Sequence, residues 1–142
     1  MLKPFVQWLI VTLASFGALA GGYHAYLTLH PERILVVVDT SFPMRASRVG
    51  LEKLLLEIDA LNYKEFLLYT DKSAVHGWRS GLQGPTFTFY GPRDWEALKK
   101  MRSRKEFSEA ERIILITNAA EQDLTGFSGW SIVNPDRQDR SF

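Results

Sequence analysis

Apolar and polar positions alternate on three different periods along this chain, and each period predicts a different element. Phe5 to Leu29 contains no Asp, Glu, Lys or Arg, so it reads as one long apolar helix. Ile34 to Val38 is an unbroken aliphatic run ending in Asp39, the pattern of a strand buried on both faces. Leu51, Leu54, Leu55, Ile58 and Leu61 repeat with helical spacing and predict an amphipathic helix from about 46 to 61, with Ser47 as N-cap and Asn62 as terminator. Glu65–Thr70 reads as a second strand. His76–Pro85 is Gly-rich and reads as a loop with at most a short edge strand. Thr86–Tyr90 alternates and predicts an edge strand between Gly-Pro pairs. Asp94 caps a predicted helix from Trp95 to about Phe107, with Trp95, Leu98 and Met101 on its buried stripe. Ile113–Ile116 is a second all-aliphatic strand, Ala119–Leu124 a helical turn, and Trp130–Val133 a last strand before a polar, frayed tail over 135–142. Buried strands separated by amphipathic helices imply an α/β domain over 34–134 with a mostly parallel, doubly wound sheet, joined to the N-terminal helix by a short linker at 30–33.

The N-terminal segment, 1–29, is long enough to span a bilayer core of about 30 Å, which takes about 20 apolar residues as a helix. Trp8 at one end and Tyr23 and Tyr26 at the other stand where interfacial aromatics belong. The same residues also fit a cleaved signal peptide, with Lys3 as a minimal basic start and Ala18-Leu19-Ala20 as a cleavage site. Apolar character continues past Ala20 to Leu29, which favours a single-pass transmembrane anchor. Gly17 and Gly21 form a G-x-x-x-G, and Ala14 and Ala18 repeat its spacing. Small residues of that kind let helices in lipid approach closely, so these four are the expected contact with a partner helix. His24 reads as an interfacial bystander.

Composition narrows the function. A formal net charge of +1 over 142 residues argues against nucleic acid as a partner. The absence of cysteine removes disulfides, thiolate metal sites and Cys nucleophiles. Basic residues cluster at Lys99, Lys100, Arg102, Arg104 and Lys105; that is a solvated helix face or, given the short linker, a contact for anionic lipid head groups or an acidic partner. The basic residues Arg33, Arg45 and Arg48 would keep the domain cytoplasmic by charge count, whereas the signal-like start favours export. We expect an extracytoplasmic, periplasmic domain.

The chemistry-bearing residues gather at predicted strand ends. Asp39-Thr40-Ser41 follows the first strand and Thr117-Asn118 follows the 113–116 strand. In open α/β sheets ligands bind outside the carboxyl ends of strands. Ile34-Leu-Val-Val-Val-Asp-Thr-Ser-Phe-Pro43 resembles the first strand and metal-site loop of von Willebrand factor A domains, and Ile113-Ile-Leu-Ile-Thr-Asn118 is similar to their later aliphatic strand. The resemblance covers about residues 33–133. It implies a shortened, von Willebrand factor A or Rossmann-like domain whose upper face binds proteins, often through a divalent ion held by a D-x-S-x-S loop with a distant Thr and Asp. Asp39, Ser41 and Asn118 are the metal positions it implies here, with Asp71 as a second carboxylate and Thr86 or Thr88 as the distant Thr. Pro43 replaces the second Ser and Asn118 stands where Asp is usual, so the motif is degenerate and the expectation is a site without bound Mg²⁺ and no cofactor.

Three functions follow as expectations. The first is a membrane-anchored protein-binding module, an accessory or assembly subunit of an envelope complex, with integral membrane subunits and lipids as partners. The second is a Mg²⁺-dependent adhesion-type module. The third is a phosphatase-like enzyme with Asp39 as nucleophile and Lys72 near the phosphate. Against catalysis, Ser41 stands where such phosphatases carry a second Asp, His24, His30 and His76 are scattered, and no Walker, G-x-S-x-G or H-E-x-x-H motif occurs. The sequence reading is therefore a non-enzyme.

Overall fold

The computed structural model of the chain describes residues 2–137. It divides into two units at the Pro31–Glu32 junction.

The first unit is helix α1, Leu2–Leu29, 28 residues long. At 1.5 Å per residue that is about 42 Å, more than a bilayer core. It is long and apolar enough to cross a membrane. Its large apolar side chains, Trp8, Phe16 and Leu19 among them, are exposed. Its end is closed locally: the His30 amide donates to Tyr26 O at 3.0 Å, and the His30 ring stacks on Tyr26 with centroids 4.5 Å apart.

The second unit is an α/β fold on a five-stranded sheet in the order β3-β2-β1-β4-β5. Strands β1 (Glu32–Val38), β2 (Lys64–Thr70), β4 (Arg112–Ile116) and β5 (Ser131–Val133) run parallel, and β3 (Ala74–Arg79) is antiparallel on the β2 edge. The aliphatic runs at 34–38 and 113–116 form the centre of the sheet. Val36 pairs with Leu68 on one side and Ile114 on the other. Successive side chains of a strand point to opposite faces, and the core divides accordingly. Ile34, Val36 and Val38 pack with Leu51, Leu54, Leu55 and Ile58 of helix α2 (Arg48–Asp59). Leu35 and Val37 pack with Leu98 and Met101 of α3 (Trp95–Met101) and Phe107 of α4 (Lys105–Glu109). Both faces of the parallel sheet are thus covered, which is why the strands read as continuous hydrophobic runs.

Several elements differ from the sequence pattern. The helix predicted from 46 starts as a 3-10 turn, Phe42–Ser47, which buries Met44 and passes into α2 at Arg48. Ser47 occupies the N-cap position without capping, because its hydroxyl donates to Asp136 Oδ2 at 2.5 Å. Helix α2 ends at Asp59, and the left-handed residue that turns the chain toward β2 is Tyr63, φ 58°, rather than Asn62.

Thr86–Tyr90 is extended but belongs to no strand. Phe87 and Phe89 lean on the α2-side core while Thr86, Thr88 and Tyr90 face out. The alternation is therefore real and the ladder is missing. The edge position goes to Ala74–Arg79, whose strand begins before the Gly-rich stretch expected to hold it.

The predicted helix 95–107 breaks after Met101. Amides of Arg102, Ser103 and Arg104 bond three residues back, to Lys99, Lys100 and Met101. The break lets Phe107 enter the core edge-on to Tyr69, centroids 5.3 Å apart, and against Trp130 at 5.7 Å. The helical turn expected at 119–124 is a 3-10 turn, Glu121–Leu124. The tail is docked rather than frayed over its first residues, with Pro135 buried against Gly50; residues 138–142 lie outside the described residues.

Candidate functional site

The order β2-β1-β4 places β1 at the centre, so chain order reverses between β1 and β4. The crevice outside the strand ends at such a point is the usual ligand site of open α/β sheets. The ladders run one step into the loops there: Asp39 N donates to Ile116 O and Asp71 N to Val38 O, each at 3.0 Å. Those bonds fix the carboxylates of both aspartates at the sheet's carboxyl edge.

Asp39 is 1% exposed and both its oxygens are used. Oδ1 accepts from Ser41 N at 2.9 Å. Oδ2 accepts from Thr117 Oγ1 at 2.7 Å and from Arg93 Nε at 2.9 Å. Arg93 reaches further: its Nη2 donates to Asn118 Oδ1. Asn118 in turn donates through Nδ2 to Pro43 O at 3.1 Å and to Ser47 Oγ at 2.8 Å. A single guanidinium therefore bridges the loops after β1 and β4. Arginine suits that task because its planar fork presents several donors at fixed angles.

A second ion pair lies beside the first. Asp71 Oδ1 accepts from Thr40 N at 2.8 Å and Thr40 Oγ1 at 2.6 Å, and Lys72 Nζ donates to Asp71 Oδ2 at 2.8 Å. The Lys72 ammonium also stands 4.6 Å from the Tyr90 ring centroid. The segment before Arg93 is tied down by backbone bonds as well, Tyr90 N to Thr40 O and Phe42 N to Gly91 O. Thr86 and Thr88 line a cleft of about 170 Å³ with Thr40, Thr70, Ser73 and Tyr90.

No protein-family model, curated protein or solved structure matches this chain.

The geometry itself brings three sequence-predicted residues, Asp39, Ser41 and Asn118, into one cluster. It also adds Arg93, which sequence reading missed, and bonds Thr117, read from the sequence only as part of the strand-end pair, to Asp39. Arg93 lies in a Gly-Pro-flanked loop 54 residues from Asp39, with no local signal.

The residues present do not fit a divalent ion. A hard cation needs several free oxygens, including a carboxylate. Here Asp39 is saturated by donors, one of them a cation, and Asp71 is paired with Lys72. Within this cluster Ser41 Oγ is buried without a hydrogen-bond partner. Among the described residues, no group of three or more His, Asp or Glu is placed to hold a metal.

The basic residues at 99–105 do not share one helix face, since α3 ends between them. Lys99 pairs with Glu96 at 2.9 Å and Lys105 with Glu109 at 3.1 Å; Arg104 lies over the Tyr69 ring at 5.8 Å. Glu109 also accepts from Trp78 Nε1 at 3.2 Å. The bonds from Lys105 and Trp78 hold its carboxyl below the ordinary glutamate value. In α1, Ala14, Gly17, Ala18 and Gly21 stand three and four residues apart on a continuous helix and so share a face. A methyl group added at Gly17 or Gly21 would meet nothing within 4 Å among the described residues.

Proposed function

We propose that this chain is a membrane-anchored protein-binding module, an accessory or assembly subunit of an envelope membrane complex, with a periplasmic domain. The observation that carries this reading is α1: 28 residues long, apolar, exposed, and carrying one face of small residues. Such a face favours close helix packing in lipid. The α/β unit behind it supports a shortened, doubly wound, von Willebrand factor A-like domain. Its first two parallel crossovers pass over opposite faces of the sheet, and the strand order matches the start of the 3-2-1-4-5-6 doubly wound arrangement. Its strand-end loops are cross-linked by ion pairs into a rigid surface, as suits a docking face more than a reaction centre. Asp39, with both oxygens engaged by hydrogen-bond donors, is poorly placed to act as a nucleophile.

The test is gentle detergent extraction of a tagged copy from its native membrane, identification of bound proteins by mass spectrometry, and the intact mass of the bait. The full-length chain with stoichiometric integral-membrane partners is the expected result. A chain starting near Gly21, or a full-length chain that captures no membrane protein, would overturn it.

A further inference from the structure

We propose that Arg93 is the resident cation of the strand-end site. Its guanidinium holds together, in place of a metal ion, the loops after β1 and β4 and the segment that carries Arg93 itself. The bridging contacts stand on the Asp39 cluster alone, and the metal that Arg93 replaces is the one the von Willebrand factor A-like reading implies, so the inference rests on that reading but not on the membrane partners.

Four observations converge on it. Arg93 contacts Asp39 Oδ2 and Asn118 Oδ1 together, so its positive charge sits between the two strand-end loops. The carboxylate it meets is buried, whereas its own side chain is 21% exposed, so Arg93 closes the crevice from the solvent side. The residue at 118 is a neutral amide, and its oxygen accepts from the guanidinium while its nitrogen donates to Pro43 O and Ser47 Oγ. A carboxylate at 118 would have no hydrogen to give those two acceptors. Finally, Ser41 Oγ is buried and unpartnered beside the same carboxylate.

Charge balance points the same way. Asp39 and Arg93 neutralise each other, as do Asp71 and Lys72. A divalent ion added to this cluster would face two cations with no free carboxylate and would be expelled. Removing the Arg93 charge reverses that balance. It releases Asp39 Oδ2, which keeps its bond from Thr117 Oγ1, and Asn118 Oδ1 from the guanidinium next to Ser41 Oγ, a set of oxygens suited to a hard cation.

The experiment uses the full chain in detergent micelles and reads thermal melting by tryptophan fluorescence, in millimolar MgCl₂ against NaCl of equal ionic strength. Mn²⁺ binding is read in parallel by electron paramagnetic resonance. Wild type is expected to show no Mg²⁺-specific shift and no bound Mn²⁺. Arg93→Gln is expected to melt about 5–10 °C lower, to recover part of that loss specifically in Mg²⁺, and to bind Mn²⁺. Mn²⁺ bound stoichiometrically by wild type would overturn the proposal. An Arg93→Gln chain that is destabilised but indifferent to both metals would also overturn it, leaving Arg93 as an ordinary ion-pair partner. If Arg93→Gln does not fold, Arg93→Lys carries the test, because it keeps the charge without bridging both partners. A folded, less stable and metal-silent Arg93→Lys supports the assignment, and one that binds Mn²⁺ overturns it.

Discussion

Arg93 and Asp39 lie 54 residues apart in the chain and meet at 2.9 Å, with the carboxylate almost wholly buried. The pair joins a loop without regular structure to the end of the central strand. Removing one partner of such a pair leaves a buried charge or donor uncompensated. Asp39→Ala strands Arg93, the Ser41 amide and the Thr117 hydroxyl together, and we expect a loss of about 3 kcal/mol. Asp39→Asn keeps an acceptor for Ser41 N and should cost about half as much. Urea midpoints of the full chain at unchanged slope would measure both. An alanine variant within about 0.5 kcal/mol of wild type, the range of a neutral surface change, would show that the pair contributes nothing.

Gly50 should resist a change that helix propensity favours. In a helix interior Gly→Ala ordinarily gains about 0.5–1 kcal/mol. Here the added Cβ would stand 2.5 Å from Pro135 O and 3.0 Å from its carbonyl carbon, and backbone yields poorly. Gly50→Ala is expected to lose about 1–2 kcal/mol by overpacking. Val49→Ala, one residue earlier and 79% exposed, is the matched control and should stay within about 0.5 kcal/mol. A stabilised Gly50→Ala would mean that the C-terminal segment does not dock on α2.

Glu109 links α4 to Trp78 of β3, and its charged form is favoured by Lys105 first and Trp78 second. A carboxyl lowered in the folded state contributes stability above its unfolded value, and that contribution fades as pH falls through the folded one. The stability difference between wild type and Glu109→Gln should therefore be full at neutral pH. It should shrink below about pH 4.3, the ordinary glutamate value. Lys105→Ala should move the fading to higher pH. Melting curves from neutral to acid pH would check both, and a difference that grows on acidification would contradict the assignment.

Gly17→Leu and Gly21→Leu place bulk on the small-residue face of α1. Among the described residues nothing lies within 4 Å of the added Cβ, so the helix itself should be untouched. Capture of membrane partners should fall by about tenfold, corresponding to ~1.4 kcal/mol of lost association. Leu19→Ala, on the opposite side by the 3.6-residue repeat, should leave capture unchanged. Equal losses in all three variants would assign partner contact to some other surface.

What was legible in the sequence follows from the range of each signal. The runs at 34–38 and 113–116, the 51–58 stripe and the uncharged 5–29 segment are local patterns, and burial on fixed periods writes them into consecutive residues. They foretold the central strands, α2 and α1. Asp39, Ser41 and Asn118 were readable for the same reason, because each directly follows a strand whose end is where open sheets carry their sites. Helix boundaries and edge pairing were not, since they depend on partners elsewhere: Ser47 gives its hydroxyl to Asp136, and α3 stops so that Phe107 can reach Tyr69 and Trp130. Thr86–Tyr90 has the alternation of a strand, but β3 already occupies the edge of β2.

By itself, then, the sequence determined the long apolar helix, the α/β class, the two aliphatic strands at the sheet's centre and the strand-end aspartate. Each needs only neighbours one to four residues away. Tertiary structure alone decided that an arginine 54 residues distant completes that aspartate's site, that β3 rather than 86–90 closes the sheet edge, and that the C-terminal segment seats on Gly50. Those outcomes rest on charge pairing and close contact between distant segments, which no local period encodes.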